Sequence, residues 1–407
     1  MKKPEFFKKK LGNGLTVILE KRELPIVSIS YSVKSGAVNE SLEEKGISHF
    51  IEHLMFKGTK KRTTKEIAEE IEKRGGEING FTNDEMVAYF CKLPSEHLSV
   101  GLDVLTDAIK NPLFEKEEIE KERQVIFEEI KMYNDNPSHY SLLKIPSLLY
   151  EGTLGEFIAG DKETVSNISR EDMVKKFNEI YVPGNMVLTV VGNADFEELC
   201  DFAEKNFSSE NKGKINEEKI KLKNESLIEK RPGLVQANMV FAHHIPLIDD
   251  KKGNYSAKVL NNLLAGGMSS RLFTEIREKR NLAYAVKGDS DDNKRFGYNL
   301  IFVGCMPENV DKIKNIILDE YKKIFNTINE DELEQAKKQL IGNYKISMED
   351  SQSQMINLFA SEIQGKAEDF YDFEENINSV GIEDLKKIVN KVVEGNYSFF
   401  ALLPEDK

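Results

Sequence analysis

"EDMVKKFNEIYVPGNMVLTVVG", Glu171–Gly192, decides the fold, because "EDLKKIVNKVVEGNYSFFALLP", Glu383–Pro404, repeats it. Each stretch reads as an amphipathic helix, a turn carrying Gly-Asn, and a closing strand of β-branched or aromatic residues. With one gap, the Glu-Asp pair, the apolar positions and the Gly-Asn correspond at an offset of 212 residues, about half of the 407-residue chain. "EIEKERQVIFEE" from Glu118 aligns with "ELEQAKKQLIGN" from Glu332 at nearly the same offset. Two matches at nearly the same spacing indicate an internal duplication. The expected fold is α+β: two homologous α/β sandwich domains, each a mixed or antiparallel sheet with helices on one face.

Working outward, "GLTVILE" and "PIVSISYSV" read as strands, and "INGFTNDEMVAYFCKL" as two strands joined by a turn at Asn83-Asp84. "TTKEIAEEIEKRGG" is a helix capped by Thr63 or Thr64 and closed by a Gly pair. Between Ser208 and Gly233 the chain is polar, charge-dense and nearly free of aromatics. The expected division is residues 1–210, a linker at 211–233, and residues 234–407.

At 40% hydrophobic and 31% charged residues, the composition is that of a globular protein with a real core. A net charge of −13 argues against a nucleic-acid partner. Cys91, Cys200 and Cys305 are too far apart to form a paired framework, which suits a reducing compartment. The basic start of the chain has no apolar segment behind it, and no apolar run reaches the ~20 residues needed to span a bilayer. A cytoplasmic protein without membrane contact is expected.

The chemistry-bearing stretch is "GISHFIEHLMFKGT", Gly46–Thr59. On a helix turning about 100° per residue, His49, Glu52 and His53 share one face, while Ile47, Phe50, Ile51 and Leu54 lie opposite. Two imidazoles one turn apart can reach a single ion, with the carboxylate beside its water. The alternative is a solvated helical face. In the helix that follows Glu115, Glu122 and Glu129 fall inside an arc shared with Val125 and Met132, and Glu128 falls outside it. Acids in an apolar arc need a partner, either a basic side chain or a metal.

These residues carry a resemblance. The His-x-x-Glu-His order, "HFIEHLMFKGT", "GGEINGFTNDEMVAYF" and a glutamate 76 residues beyond His53 resemble the insulinase/pitrilysin family of zinc peptidases, in the branch similar to mitochondrial processing peptidase. The resemblance implies Zn2+ held by His49, His53 and Glu129, with Glu52 as general base and Glu122 supporting the site. It implies an extended peptide added as a strand beside "EINGFT", where Asn79, Phe81 and Thr82 would bind substrate. "SSRLFTEIREKRNLAYAV" resembles a second family signature, in which an arginine and a tyrosine contact the substrate and the tetrahedral intermediate; they correspond to Arg277 and Tyr284. Asn281 stands where glycine is usual and Gly80 where alanine is common. The duplication places Ala336 and Asn343 at the positions of Glu122 and Glu129, so the second domain should lack the metal site.

The expected function is zinc-dependent endopeptidase action on extended peptides or unfolded segments in a closed chamber. The alternatives are a non-catalytic assembly subunit of the same fold and a metal-binding protein without hydrolysis. A homodimer is expected because one chain carries both signatures, with a heterodimer of homologous subunits as the alternative. His243-His244 adjoin a strand end and face opposite ways, against a shared metal. His97 and His139 read as surface residues. The "GGMSS" loop lacks the context of a phosphate-binding loop.

Overall fold

The structure is a computed structural model that describes residues 4–207, 213–217 and 219–405. It divides into two compact units. The first comprises Met1–Ile130, Phe157–Glu218 and Ser347–Tyr371, and the second Lys131–Glu156, Lys219–Ile346 and Asp372–Lys407. A division at a single linker is therefore too simple: one segment of each half belongs to the unit built on the other half.

The first unit holds β1 (Glu5–Lys10), β2 (Thr16–Lys21), β3 (Ile26–Val33), β4 (Glu77–Thr82), β5 (Val87–Pro94) and β6 (Met186–Gly192), in the order β1-β2-β6-β3-β5-β4. The β2–β6 pair is parallel and the rest are antiparallel. The second unit holds β7 (Ser226–Arg231), β8 (Ala237–His244), β9 (Ala283–Asp292), β10 (Gly297–Cys305) and β11 (Ser398–Pro404), in the order β7-β11-β8-β10-β9. Here too one pair, β7–β11, is parallel and the rest are antiparallel. The second order repeats β2-β6-β3-β5-β4 strand for strand, so the duplication is present in topology. Strand β7 also corrects the linker, since Ser226–Arg231 is part of a sheet. The stretch 208–212 and residue 218 lie outside the described residues.

In β3 the residues alternate strictly. Val27, Ile29, Tyr31 and Val33 join the main core of the first unit, with Phe50, Ile51 and Leu54 of α1 (Ile47–Leu54), Ile67 and Ile71 of α2 (Thr64–Glu72), and Leu102 and Leu105 of α3 (Leu98–Lys110). Thr63 caps α2 in a box with Glu66. Ser28, Ser30 and Ser32 occupy the other face, yet each is fully buried. The exchanged helix Ser351–Gln364 covers them: the Ser28 and Ser351 hydroxyls lie 2.9 Å apart, and Met355, Leu358 and Phe359 pack with Ile18, Phe90, Val187 and Val191.

The second unit is completed in the same way by the other exchanged segment. There the Tyr140 and Phe400 rings meet at 6.1 Å, Ser398 donates to the Leu148 carbonyl, and Tyr150 donates to the Gly297 carbonyl. The helices are therefore not confined to one face of either sheet.

Candidate metal centre

Helix α1 begins at Gly46, whose φ of 97° suits glycine. Gly46 has no side chain with which to cap the helix. Buried Glu40 does so instead, its carboxylate accepting from the Gly46 and Ser48 amides at 3.0 and 2.7 Å. Burial pushes the Glu40 carboxyl above its ordinary value, against the pull of Lys45 and these amides. The apolar face of α1 is fully buried and directs His49, Glu52 and His53 to the opposite side.

Helix α4 (Lys116–Asp135) supplies the other carboxylates. Its buried residues are Ile119, Glu122, Arg123 and Ile126. Val125 and Met132 are exposed, so the apolar arc expected around Glu122 and Glu129 is solvated on that side. The distinction between acids survives: Glu122 is buried, Glu129 is half-buried and Glu128 is exposed.

One Glu129 oxygen, Oε2, faces the two imidazoles, 3.7 Å from His49 Nε2 and 3.3 Å from His53 Nε2. One ligand atom from each of the three residues lies within 4.8 Å of the other two. A tetrahedral ion with bonds of 2.0–2.1 Å requires donor separations of about 3.4 Å, so the spacing and the N,N,O chemistry both fit zinc. His53 Nδ1 lies 3.1 Å from Glu122 Oε2. A proton on Nδ1 is donated to that oxygen and leaves Nε2 free as a ligand.

Electrostatics treat the two imidazoles differently. Burial and the neighbouring His53 lower the His49 pKa to about 4 and keep its imidazole neutral, against the opposing pull of Glu129. For His53, burial pulls the pKa down, but hydrogen bonds with Glu129 and Glu122 and the carboxylate charges outweigh it, and the net direction is up. Burial raises the Glu52 pKa, with His53 and the Thr82 hydrogen bond opposing, and so favours a carboxylate that accepts protons readily.

Of the three residues expected at the sheet edge, Thr82 donates to Glu52 Oε2 at 3.3 Å. Phe81 points to the other face, against Phe90 and Phe359, and Asn79 shares that face by strand alternation. Strand β4 is the last in its sheet, so its outer edge is open among the described residues. At Gly80 an added Cβ would stand 3.2 Å from Glu52 Oε1 and from the Ala88 carbonyl, and glycine leaves that space open.

Arg277 and Tyr284 belong to the second unit. Arg277 sits on a π-helical turn, Phe273–Glu278, with its guanidinium over the Phe273 ring. Asn281 takes φ 51°, the left-handed turn expected of it. Tyr284 falls at the register break where Gly304 pairs with Ala285 and Cys305 with Ala283. Its ring lies across Gly304, where any Cβ would collide with the phenol, and it is half exposed. Ala336 and Asn343 replace the two α4 glutamates on the helix Glu330–Ser347. The only His/Cys/Asp/Glu group with metal-ligand spacing among the described residues is therefore the one in the first unit.

Sequence reading missed Glu40, which caps α1, and Lys57, whose ammonium lies 2.7 Å from Glu122 Oε1. Lys57 carried a usable signal, since it follows His53 by one helical turn.

His243 and His244 do not converge. His243 Nδ1 lies 3.1 Å from the His244 carbonyl oxygen, and His244 Nε2 lies 2.8 Å from that of Lys223. Burial lowers the His243 pKa to about 4. The folded value is below the unfolded one of about 6.5, so this contribution to stability is complete above pH ~6.5 and is lost as pH falls toward 4. Between pH 8 and pH 5 the loss from this group is expected to be about 2 kcal/mol. Urea unfolding of His243→Phe should show a correspondingly weaker pH dependence than wild type; identical pH slopes would rule out the assignment.

The family model described as Insulinase (Peptidase family M16) matches residues 16–162, and that described as Peptidase M16 inactive domain matches residues 167–340. A protein of Rickettsia felis named as an uncharacterized zinc protease is 36% identical over 351 residues, 85% of each chain. One of Bacillus subtilis named as uncharacterized zinc protease YmxG is 31% identical over 402 residues, 96% of this chain and 97% of that one. Among solved structures, a protease from Helicobacter pylori superposes with a TM-score of 0.90 over 98% of this chain and 100% of that one, at 22% identity. At that identity the likeness is one of fold.

Proposed function

Because this chain belongs to the insulinase family, peptidase family M16, we propose that it is a zinc-dependent metalloendopeptidase that cuts extended peptides or unfolded polypeptide segments. The observation that carries this reading is the convergence of His49, His53 and Glu129, with Glu52 beside them and held by Thr82. Zinc, when bound, supplies a Lewis acid that polarises a carbonyl and lowers the pKa of water. Glu52 takes the proton of the attacking water and delivers it to the leaving amine. The open edge of β4 pairs with the substrate backbone, which selects extended chains. Arg277 and Tyr284 donate to the substrate backbone and to the developing oxyanion, a role that rests on the resemblance of their segment to the family signature. Buried, unpaired Cys91, Cys200 and Cys305 are in keeping with a cytoplasmic setting.

The test is hydrolysis of quenched peptides by the purified chain. Turnover should vanish with chelator and return with zinc. A zinc-loaded chain that cuts no member of a diverse peptide set would instead be an assembly subunit or a metal binder. We place the Arg277 and Tyr284 that serve each site on a second copy of the chain, in a homodimer with two equivalent sites. Mixing Glu52→Gln chains with Tyr284→Phe chains should then restore part of the activity, because one site of a mixed dimer is intact. No recovery despite confirmed subunit exchange would eliminate the homodimeric arrangement.

A further inference from the structure

We propose that Lys57 is a positioning residue for the metal ligand His53 and acts through Glu122; this rests on the zinc reading above. Lys57 Nζ donates to Glu122 Oε1 at 2.7 Å, while Glu122 Oε2 faces His53 Nδ1 at 3.1 Å. Each carboxylate oxygen thus has its own partner, and the Glu122 side chain is only 8% exposed. Without the lysine, a buried carboxylate can rotate about its last bond and offer His53 either oxygen or neither. With it, one oxygen is occupied and the other is aimed.

The lysine is itself held by its loop. Its amide donates to the Leu54 carbonyl at the end of α1. Gly58, with φ 111°, turns the chain immediately afterwards. Thr59 then fixes the loop, donating to Asp107 at 2.6 Å and accepting from the Lys61 and Arg62 amides. Arg62 binds the same Asp107 at 3.0 Å. The fixed backbone sets where the lysine stem begins, and the rotamer freedom lost along that stem is offset by the charge-assisted bond to Glu122. The metal-bearing helix, its following loop and α4 are thereby joined by one chain of charge-assisted hydrogen bonds, Lys57 to Glu122 to His53.

A double-mutant cycle on zinc affinity, measured by competition with a chromophoric chelator, tests this. Glu122→Gln should weaken zinc binding by about 10–100-fold, the range for a group hydrogen-bonded to a ligand. Lys57→Met keeps the packing of the stem and should weaken binding by a smaller factor, and Lys57→Arg should restore most of it. In the Glu122→Gln background, Lys57→Met should have no further effect. In the zinc-loaded protein, nitrogen NMR of His53 should show the Nδ1–H hydrogen bond weakened in Lys57→Met. Equal effects of Lys57→Met in both backgrounds, or an unchanged affinity and Nδ1–H resonance, would overturn the proposal while leaving the zinc reading intact. A wild-type chain that binds no zinc would overturn both. If the methionine variant does not fold, Lys57→Gln completes the same cycle.

Discussion

Glu52→Gln is expected to lower kcat by about 10³-fold, or roughly 4 kcal/mol of barrier, and to leave the zinc content unchanged. Glu52 is not one of the three residues whose ligand atoms converge, so on the proposed zinc reading its loss removes no bond to the ion. Glutamine has the same shape and still accepts the Thr82 hydrogen bond, so the substrate edge is undisturbed. What it cannot do is take a proton. Steady-state kinetics with metal analysis of the same preparation checks both halves. A variant with full zinc and near-wild-type turnover would remove Glu52 from the mechanism.

The second large effect separates two adjacent glutamates. Glu129→Gln should weaken zinc binding by more than the ~10–100-fold expected for a group that touches only a ligand. Glu128→Gln should leave the affinity unchanged. Glu129 aims Oε2 between the two imidazoles, whereas Glu128, one position along the same helix, is exposed. A neutral amide in place of the carboxylate offers a weaker oxygen donor and no charge to balance the ion. Competition titrations on the two variants give the order directly, and the reverse order would move the third ligand to Glu128.

The site was legible in the sequence to different depths. The His49–Glu52–His53 face followed from helical periodicity, because residues three and four apart share a side. The separation of Glu129 and Glu122 from Glu128 followed from the same angle, although Val125 and Met132 proved exposed and the arc was less apolar than expected. The assignment of Glu129 as third ligand came from family spacing, since no local pattern links residues 76 positions apart. Arg277 and Tyr284 also came from resemblance alone. At the sheet edge the motif named Asn79, Phe81 and Thr82 together, but strand alternation puts only Thr82 beside Glu52.

The sequence by itself determined the duplication, the strand and helix types, and the helical face that gathers His49, Glu52 and His53. These are properties of local periodicity and of repeated spacing. Only the tertiary structure decided which segment covers which sheet. The alternation of β3 reads as one buried and one wet face, yet Ser28, Ser30 and Ser32 are fully buried beneath a helix from more than 300 residues away. Likewise Ser226–Arg231, polar enough to read as linker, becomes a strand because β11 offers it a parallel edge. Backbone pairing and burial across such distances depend on which surfaces meet, and no periodicity within either segment encodes its partner.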